Sequence, residues 1–120
     1  MKRILVTGSR DWHSFKAVKV ALEDAAAGER IVVIHGGCPT GADSYAGAVA
    51  RDHGWRVEIN HADWKRYGHG AGPLRNADMV RAGADLCLAF IRNNSDGASG
   101  CARLAEDAGI PVIRLFEASP

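Results

Sequence analysis

Ile31-Val32-Val33-Ile34-His35-Gly36-Gly37-Cys38-Pro39-Thr40-Gly41-Ala42-Asp43 opens as an unbroken apolar run, stops at paired glycines and reaches a threonine able to open a helix. A continuous apolar strand is the pattern of a parallel sheet covered on both faces. A strand that gives way to glycines and then to a helix start aims several backbone N–H groups, and the positive end of a helix dipole, at one spot. Such a spot suits a phosphate or another anion. The same kind of ending follows Val6-Thr7-Gly8-Ser9-Arg10, and again Leu88-Ala89-Phe90, where Asn93 to Gly97 form the exit. Three polar, glycine-bearing strand exits in one short chain predict a single composite ligand site.

Working outward, strands are predicted over 3–7, 31–35, 57–60, 86–90 and 112–116, and helices over 15–27, 42–53, 73–82 and 98–108. Phe15, Val18 and Leu22 recur at helical spacing, Gly28 closes the first helix, and Pro73 suits a first helical turn where its missing N–H costs nothing. Residues 61–72 form one long polar connection, and 117–120 a short tail. Strands alternating with helices imply βαβ crossovers and a doubly wound, Rossmann-like α/β fold with five parallel strands and about four helices. The long 61–72 connection gives the chain room to cross back beside the first strand, which predicts the order 3-2-1-4-5. Ligands in such sheets sit at the carboxyl ends of the strands where the order reverses.

The 120 residues fit one domain, residues 1–120, that buries roughly 65% of its unfolded surface. Apolar residues make up 47% and charged residues 24%, a globular composition. The net charge of +1 argues against nucleic acid as a partner, since no global basic field exists. Cys38, Cys87 and Cys101 are sparse and lack CxxC spacing, so neither a disulfide framework nor a structural zinc site is expected, and a reducing cytoplasm fits best. Met1-Lys2-Arg3 runs straight into the first strand, so no leader is expected, and no apolar run approaches a membrane span.

The candidate site residues follow from the exits. Gly8 lets a backbone approach a ligand, Ser9 offers a hydroxyl and an N–H, and Arg10 can fork onto a phosphate or carboxylate. The alternative is an ordinary turn with a surface arginine. Gly36, Gly37 and Gly41 shape a cradle around Thr40, while Thr40 and Asp43 have capping-box spacing. Asp43 can also hold a ribose hydroxyl. Trp64 either stacks on a base, with Lys65 and Arg66 near the phosphates, or covers the sheet edge. Arg75, beside Asn76 in an expected first helical turn, opposes the helix dipole, which points to an anion clamp. Ser95 and Gly97 add small polar donors, or make a plain turn. The dinucleotide fingerprint, the Walker A loop, HExxH spacing and the nucleophile elbow are all missing, so neither a cofactor nor a metal is expected.

V-T-G-S-R-D-W, I-H-G-G-C-P-T-G-A-D, A-D-W and A-G-P-L-R-N-A-D-M stand in the order and spacing of the small bacterial and phage proteins of the DUF2493 group. The chain therefore resembles the YspA, or cpYpsA-related, SLOG family over nearly its whole length. That resemblance implies a Rossmann-like fold in the superfamily that holds the LOG phosphoribohydrolases and the DNA-processing protein A, and a nucleotide or nucleotide-derived small molecule as ligand. The LOG motif P-G-G-x-G-T-x-x-E aligns its G-T-x-x-E with Gly97-Ala98-Ser99-Gly100-Cys101, so Cys101 stands in place of the catalytic glutamate. A neutral thiol neither activates water nor steadies an oxocarbenium ion well. Binding is thus the first expectation. A nucleotide hydrolase using Asp43 or Asp96 is the alternative, and a DNA-associated protein a weaker one. By analogy with the LOG proteins, a homo-oligomer would pair through the alanine-rich 42–53 helix.

Overall fold

The computed structural model describes residues 1–118 of the chain. Five strands, β1 (Lys2–Gly8), β2 (Ile31–His35), β3 (Arg56–Ile59), β4 (Leu86–Arg92) and β5 (Val112–Glu117), form one sheet in the order β3-β2-β1-β4-β5. Every neighbouring pair is parallel. Four long helices connect them: α1 (Phe15–Ala26), α2 (Gly41–His53), α4 (Ala71–Ala82) and α5 (Asp96–Asp107). The predicted order and class hold. Of the expected tail, Glu117 ends β5, and residues 119 and 120 lie outside the described part.

Alternate residues of the central strands feed two apolar layers, which is why those strands lack polar positions. Ile4, Val6, Ile31, Val33, Leu88 and Phe90 meet Val18 and Leu22 of α1 and Ala42, Ala46, Val49 and Ala50 of α2. On the other face Leu5, Val32, Ile34 and Cys87 meet Met79 and Val80 of α4 and Cys101 and Ala105 of α5. The alanines of α2 are thus packed against its own sheet, where small side chains let helix and strands approach closely. Within the 42–53 helix offered as an oligomer interface, Ala42, Ala46, Val49 and Ala50 are internal, while Arg51, Asp52 and His53 are exposed. Cys87 is core, as its apolar strand implied, and burial pushes its thiol up to about 12.

The polar connection is not a plain loop. It holds a one-turn helix, α3 (Trp64–Tyr67), whose N-cap Asp63 accepts from the N–H of Arg66, and then a 3-10 turn over Gly68–Gly70. The 3-10 turn runs on into α4, which begins at Ala71, two residues before Pro73. Proline still falls in the first turn, where no intrahelical N–H is needed. Arg75 therefore sits beyond that turn, and the helix dipole opposes it less than the sequence suggests. β4 is longer than predicted, because Arg92 and Glu117 continue the ladder with β5. Glu117 then accepts from the N–H groups of His13 and Ser14, at 2.7 and 3.0 Å, and from Arg92 Nη1 at 2.6 Å. This carboxylate ties the far end of the sheet to the loop after β1.

Candidate functional site

Between β1 and β4, where the strand order reverses, the loops at the carboxyl ends enclose a crevice of about 980 Å³. Gly8 and Arg10 line it from the β1 exit, Gly36, Gly37 and Thr40 from the β2 exit, and Asp43 from the first turn of α2. Trp64 reaches it from α3, Arg75 and Asn76 from α4, and Ser95, Asp96 and Gly97 from the start of α5. The crevice continues between α4 and α5, past Met79, toward Arg103 and Asp107.

Two candidates are turned away from it. Ser9 is only 3% exposed; its hydroxyl accepts from the Arg92 N–H at 2.8 Å and its own N–H donates to the Phe90 carbonyl at 2.9 Å. Both groups expected to face a ligand are used to join β1 to β4. Gly41 packs on the backbone of Ser9 and Arg10 so closely that a Cβ there would collide with both carbonyls. Gly8 likewise makes room for Ala42 of α2. Close packing of α2 on β1 and on the backbone that follows it accounts for both glycines.

The β2 exit is built around Asp43. Its Oδ2 accepts from the N–H groups of Gly36 and Cys38, at 3.2 and 3.3 Å, and the residue is 7% exposed. The capping box is not formed. Thr40 occupies the N-cap of α2 but its hydroxyl donates to the Arg10 carbonyl at 2.9 Å, which binds the β1 exit to the β2 exit. Burial pushes the Asp43 carboxyl above its ordinary value, although the Cys38 and Gly36 N–H groups and the charges of Arg75 and Arg10 pull it back.

Arg75 is held by neutral acceptors. Nε donates to Asn76 Oδ1 at 2.7 Å, and Nη1 donates to the Gly36 carbonyl at 2.8 Å and more weakly to that of Asn60 at 3.5 Å. The guanidinium lies where a side chain at position 36 would begin, which explains the first glycine of the pair. Gly37, with φ of +74°, takes the left-handed turn and faces the ring of His61. Across the mouth, the Arg10 guanidinium stands 5.4 Å from the centroid of Trp64, which is 47% exposed on a helix with no buried residue. Among the ion pairs of the described residues, neither Arg10 nor Arg75 has a carboxylate partner.

Residues 2–67, which carry the β1 and β2 exits and Trp64, match the family model described as YspA, cpYpsA-related SLOG family. The chain belongs to that family. It is also 48% identical over 122 aligned positions to the "Gene 61 protein" of Mycobacterium phage D29, covering 96% of this chain and 97% of that one. Membership of the SLOG family suggests a nucleotide-related function. Where the resemblance to LOG enzymes sets the catalytic glutamate, this SLOG protein holds Cys101, fully buried against the sheet. Burial pushes that thiol upward, against the pull of a hydrogen bond with Thr7, so it is no ready nucleophile.

Sequence reasoning missed His35, Asn60, His61 and Arg103. His35 is 5% exposed; its Nδ1 accepts from the Gly37 N–H at 2.9 Å, so the proton sits on Nε2, which is buried without a partner. Burial first, then the positive surroundings of His61, Arg51 and Arg75, lowers its pKa to about 4. A histidine closing an otherwise apolar strand was the available signal. His61 and Arg103 line the crevice with no spacing that ties them to it. No helix among the described residues is long and apolar enough to cross a membrane.

Proposed function

We propose that this SLOG protein binds a nucleotide or nucleotide-derived anion in the crevice between β1 and β4, in the cytoplasm. The observation that carries the reading is the pair Arg10 and Arg75. Arg10 comes from the loop after β1 and Arg75 from α4, both line the crevice, and neither has a carboxylate partner among the described ion pairs. Two guanidinium groups without an ion-pair partner, lining one crevice at the carboxyl ends of the strands, favour a phosphate-bearing ligand. Gly36, Gly37 and Thr40 form the wall beside the phosphate, Asn76 and the opening of α5 at Ser95 and Gly97 supply further donors, and Trp64 supplies a stacking surface. Asp43 holds the glycine loop through Oδ2 and can accept a ribose hydroxyl on its other oxygen.

The test is mass spectrometry of small molecules that stay bound through native purification, followed by calorimetry with the nucleotide found. A retained nucleotide whose binding weakens in Arg75→Ala supports the reading. A protein that retains none, and whose melting temperature does not respond to millimolar nucleotides, refutes it. Hydrolysis of the bound nucleotide is the second reading, favoured by the raised carboxyl of Asp43 beside the crevice. Free base, ribose phosphate or inorganic phosphate released by the wild type, and not by Asp43→Asn or Asp96→Ala, would establish it.

A further inference from the structure

We propose that Arg10 and Trp64 form a gate that selects phosphorylated over unphosphorylated ligands: the guanidinium covers an indole face that a base would take, and only an anion gives the displaced guanidinium a new partner. The inference rests on the nucleotide reading above and says which chemical form of ligand the site accepts.

The contact joins loops that belong to strands two places apart. Arg10 follows β1 and Trp64 follows β3, so the pair spans the exit of β2, with its glycines, and both residues line the crevice. The backbone beneath Arg10 is pinned. Its carbonyl accepts from the Thr40 hydroxyl at 2.9 Å, and the preceding carbonyl, of Ser9, accepts from Trp12 at 3.1 Å. A ligand therefore moves the side chain, not the loop. The neighbouring carboxylate does not compete for the guanidinium, because Asp11 lies 3.6 Å from Arg92 instead. The indole is seated as well: its Cη2 stands 3.3 Å from where a Cβ of Gly72 would be, so the glycine gives the ring its place at the start of α4.

A base that stacks on the covered face must first displace the cation. An exposed cation–π contact corresponds to about 2- to 5-fold in affinity, a penalty that every ligand meets. A charge-assisted contact between the freed guanidinium and a phosphate corresponds to about 10- to 150-fold, and a nucleoside cannot make it. Arg10 thus works against nucleosides and for nucleotides.

Calorimetry with the common ribonucleosides and their monophosphates, on wild type, Arg10→Ala and Arg10→Ala in a Trp64→Leu background, reads this directly. Arg10→Ala is expected to bind the nucleoside about 2- to 5-fold tighter and its monophosphate several-fold weaker. In the Trp64→Leu background the gain for the nucleoside should vanish. Arg10 is exposed, so folding of the variant is checked simply by its melting temperature. If Arg10→Ala weakens nucleoside and nucleotide alike, or moves neither, the gate is overturned while the nucleotide site stands. If no monophosphate binds the wild type at millimolar concentration, the nucleotide reading and the gate fall together.

Discussion

Arg75 Nη1 donates to the carbonyl of Gly36 at 2.8 Å, and its guanidinium fills the space that any side chain at position 36 would need. The cationic wall of the crevice and the glycine loop are therefore a single packing unit. Gly36→Ala should push Arg75 off its acceptors, and because the new Cβ meets only the far end of a flexible side chain, the loss of stability should be that of the lost hydrogen bonds, about 1 kcal/mol. Urea denaturation gives the stability, and calorimetry with the retained nucleotide should show binding lost in parallel. A variant as stable as wild type would mean that Arg75 has another place to go.

Arg75→Ala should cost less in folding and more in binding. Its three acceptors are neutral oxygens, so no ion pair is broken, although the buried carboxyl of Asp43 loses one of the charges that pull it down. Loss of the charge-assisted contact to an anion should weaken nucleotide binding by roughly 1.5–3 kcal/mol. Arg75→Lys should recover only part of this, because an ammonium cannot donate to Asn76 and Gly36 and still fork onto a phosphate. Unchanged affinity in Arg75→Ala would remove this residue from the site.

His35 makes stability depend on pH. Folding lowers its pKa from 6.5 to about 4, so the folded state favours the neutral ring. Its contribution is complete above the unfolded value and is lost as pH falls from there through about 4. By about pH 5 the expected loss is about 2 kcal/mol. Asp43 acts in the opposite sense, since its raised carboxyl gains a proton more readily in the folded state as pH falls. Glu58 and Glu117 have lowered values and release their stabilisation only at more acid pH. Urea titrations near neutrality and near pH 5 should show the drop in wild type and much less of it in His35→Gln.

Glu117 anchors the loop that presents Arg10. Burial raises its pKa, but Arg92 and the N–H groups of His13 and Ser14 outweigh this and hold the carboxyl below its ordinary value. Glu117→Ala should destabilise the protein by roughly 1.5–3 kcal/mol, as expected for hydrogen bonds to a charged acceptor. Hydrogen exchange should quicken at His13 and Ser14 in particular. Protection unchanged at those amides would show that the loop is held by Ser9 and Trp12 alone.

Ser9→Ala separates the two roles a serine at a strand exit can have. Its hydroxyl accepts from the Arg92 N–H, so removal should cost about 0.5–1.5 kcal/mol of stability, with nucleotide affinity unmoved. A loss of affinity without a loss of stability would return Ser9 to the ligand.

The strand order, the two helix layers and the place where the exits meet were all legible in the residues. Ile31 to Ile34 and Leu86 to Phe90 are apolar without alternation, and the long connection after β3 is where the chain crosses back. Hydrophobic periodicity is local, and so it can be read one segment at a time. What each polar side chain does could not be read in that way. Ser9 and Thr40 look alike as hydroxyls beside glycines, yet one bridges to β4 and the other to the Arg10 carbonyl. Asp43 has the spacing of a cap but faces back to the glycine loop, because Gly36 and Cys38 bring N–H groups to it. The sequence by itself determined the sheet, its covering and the rim at which the strand exits meet. Only the tertiary structure decided which donors are already satisfied within the protein and which still face the crevice, since that depends on partners distant in the chain.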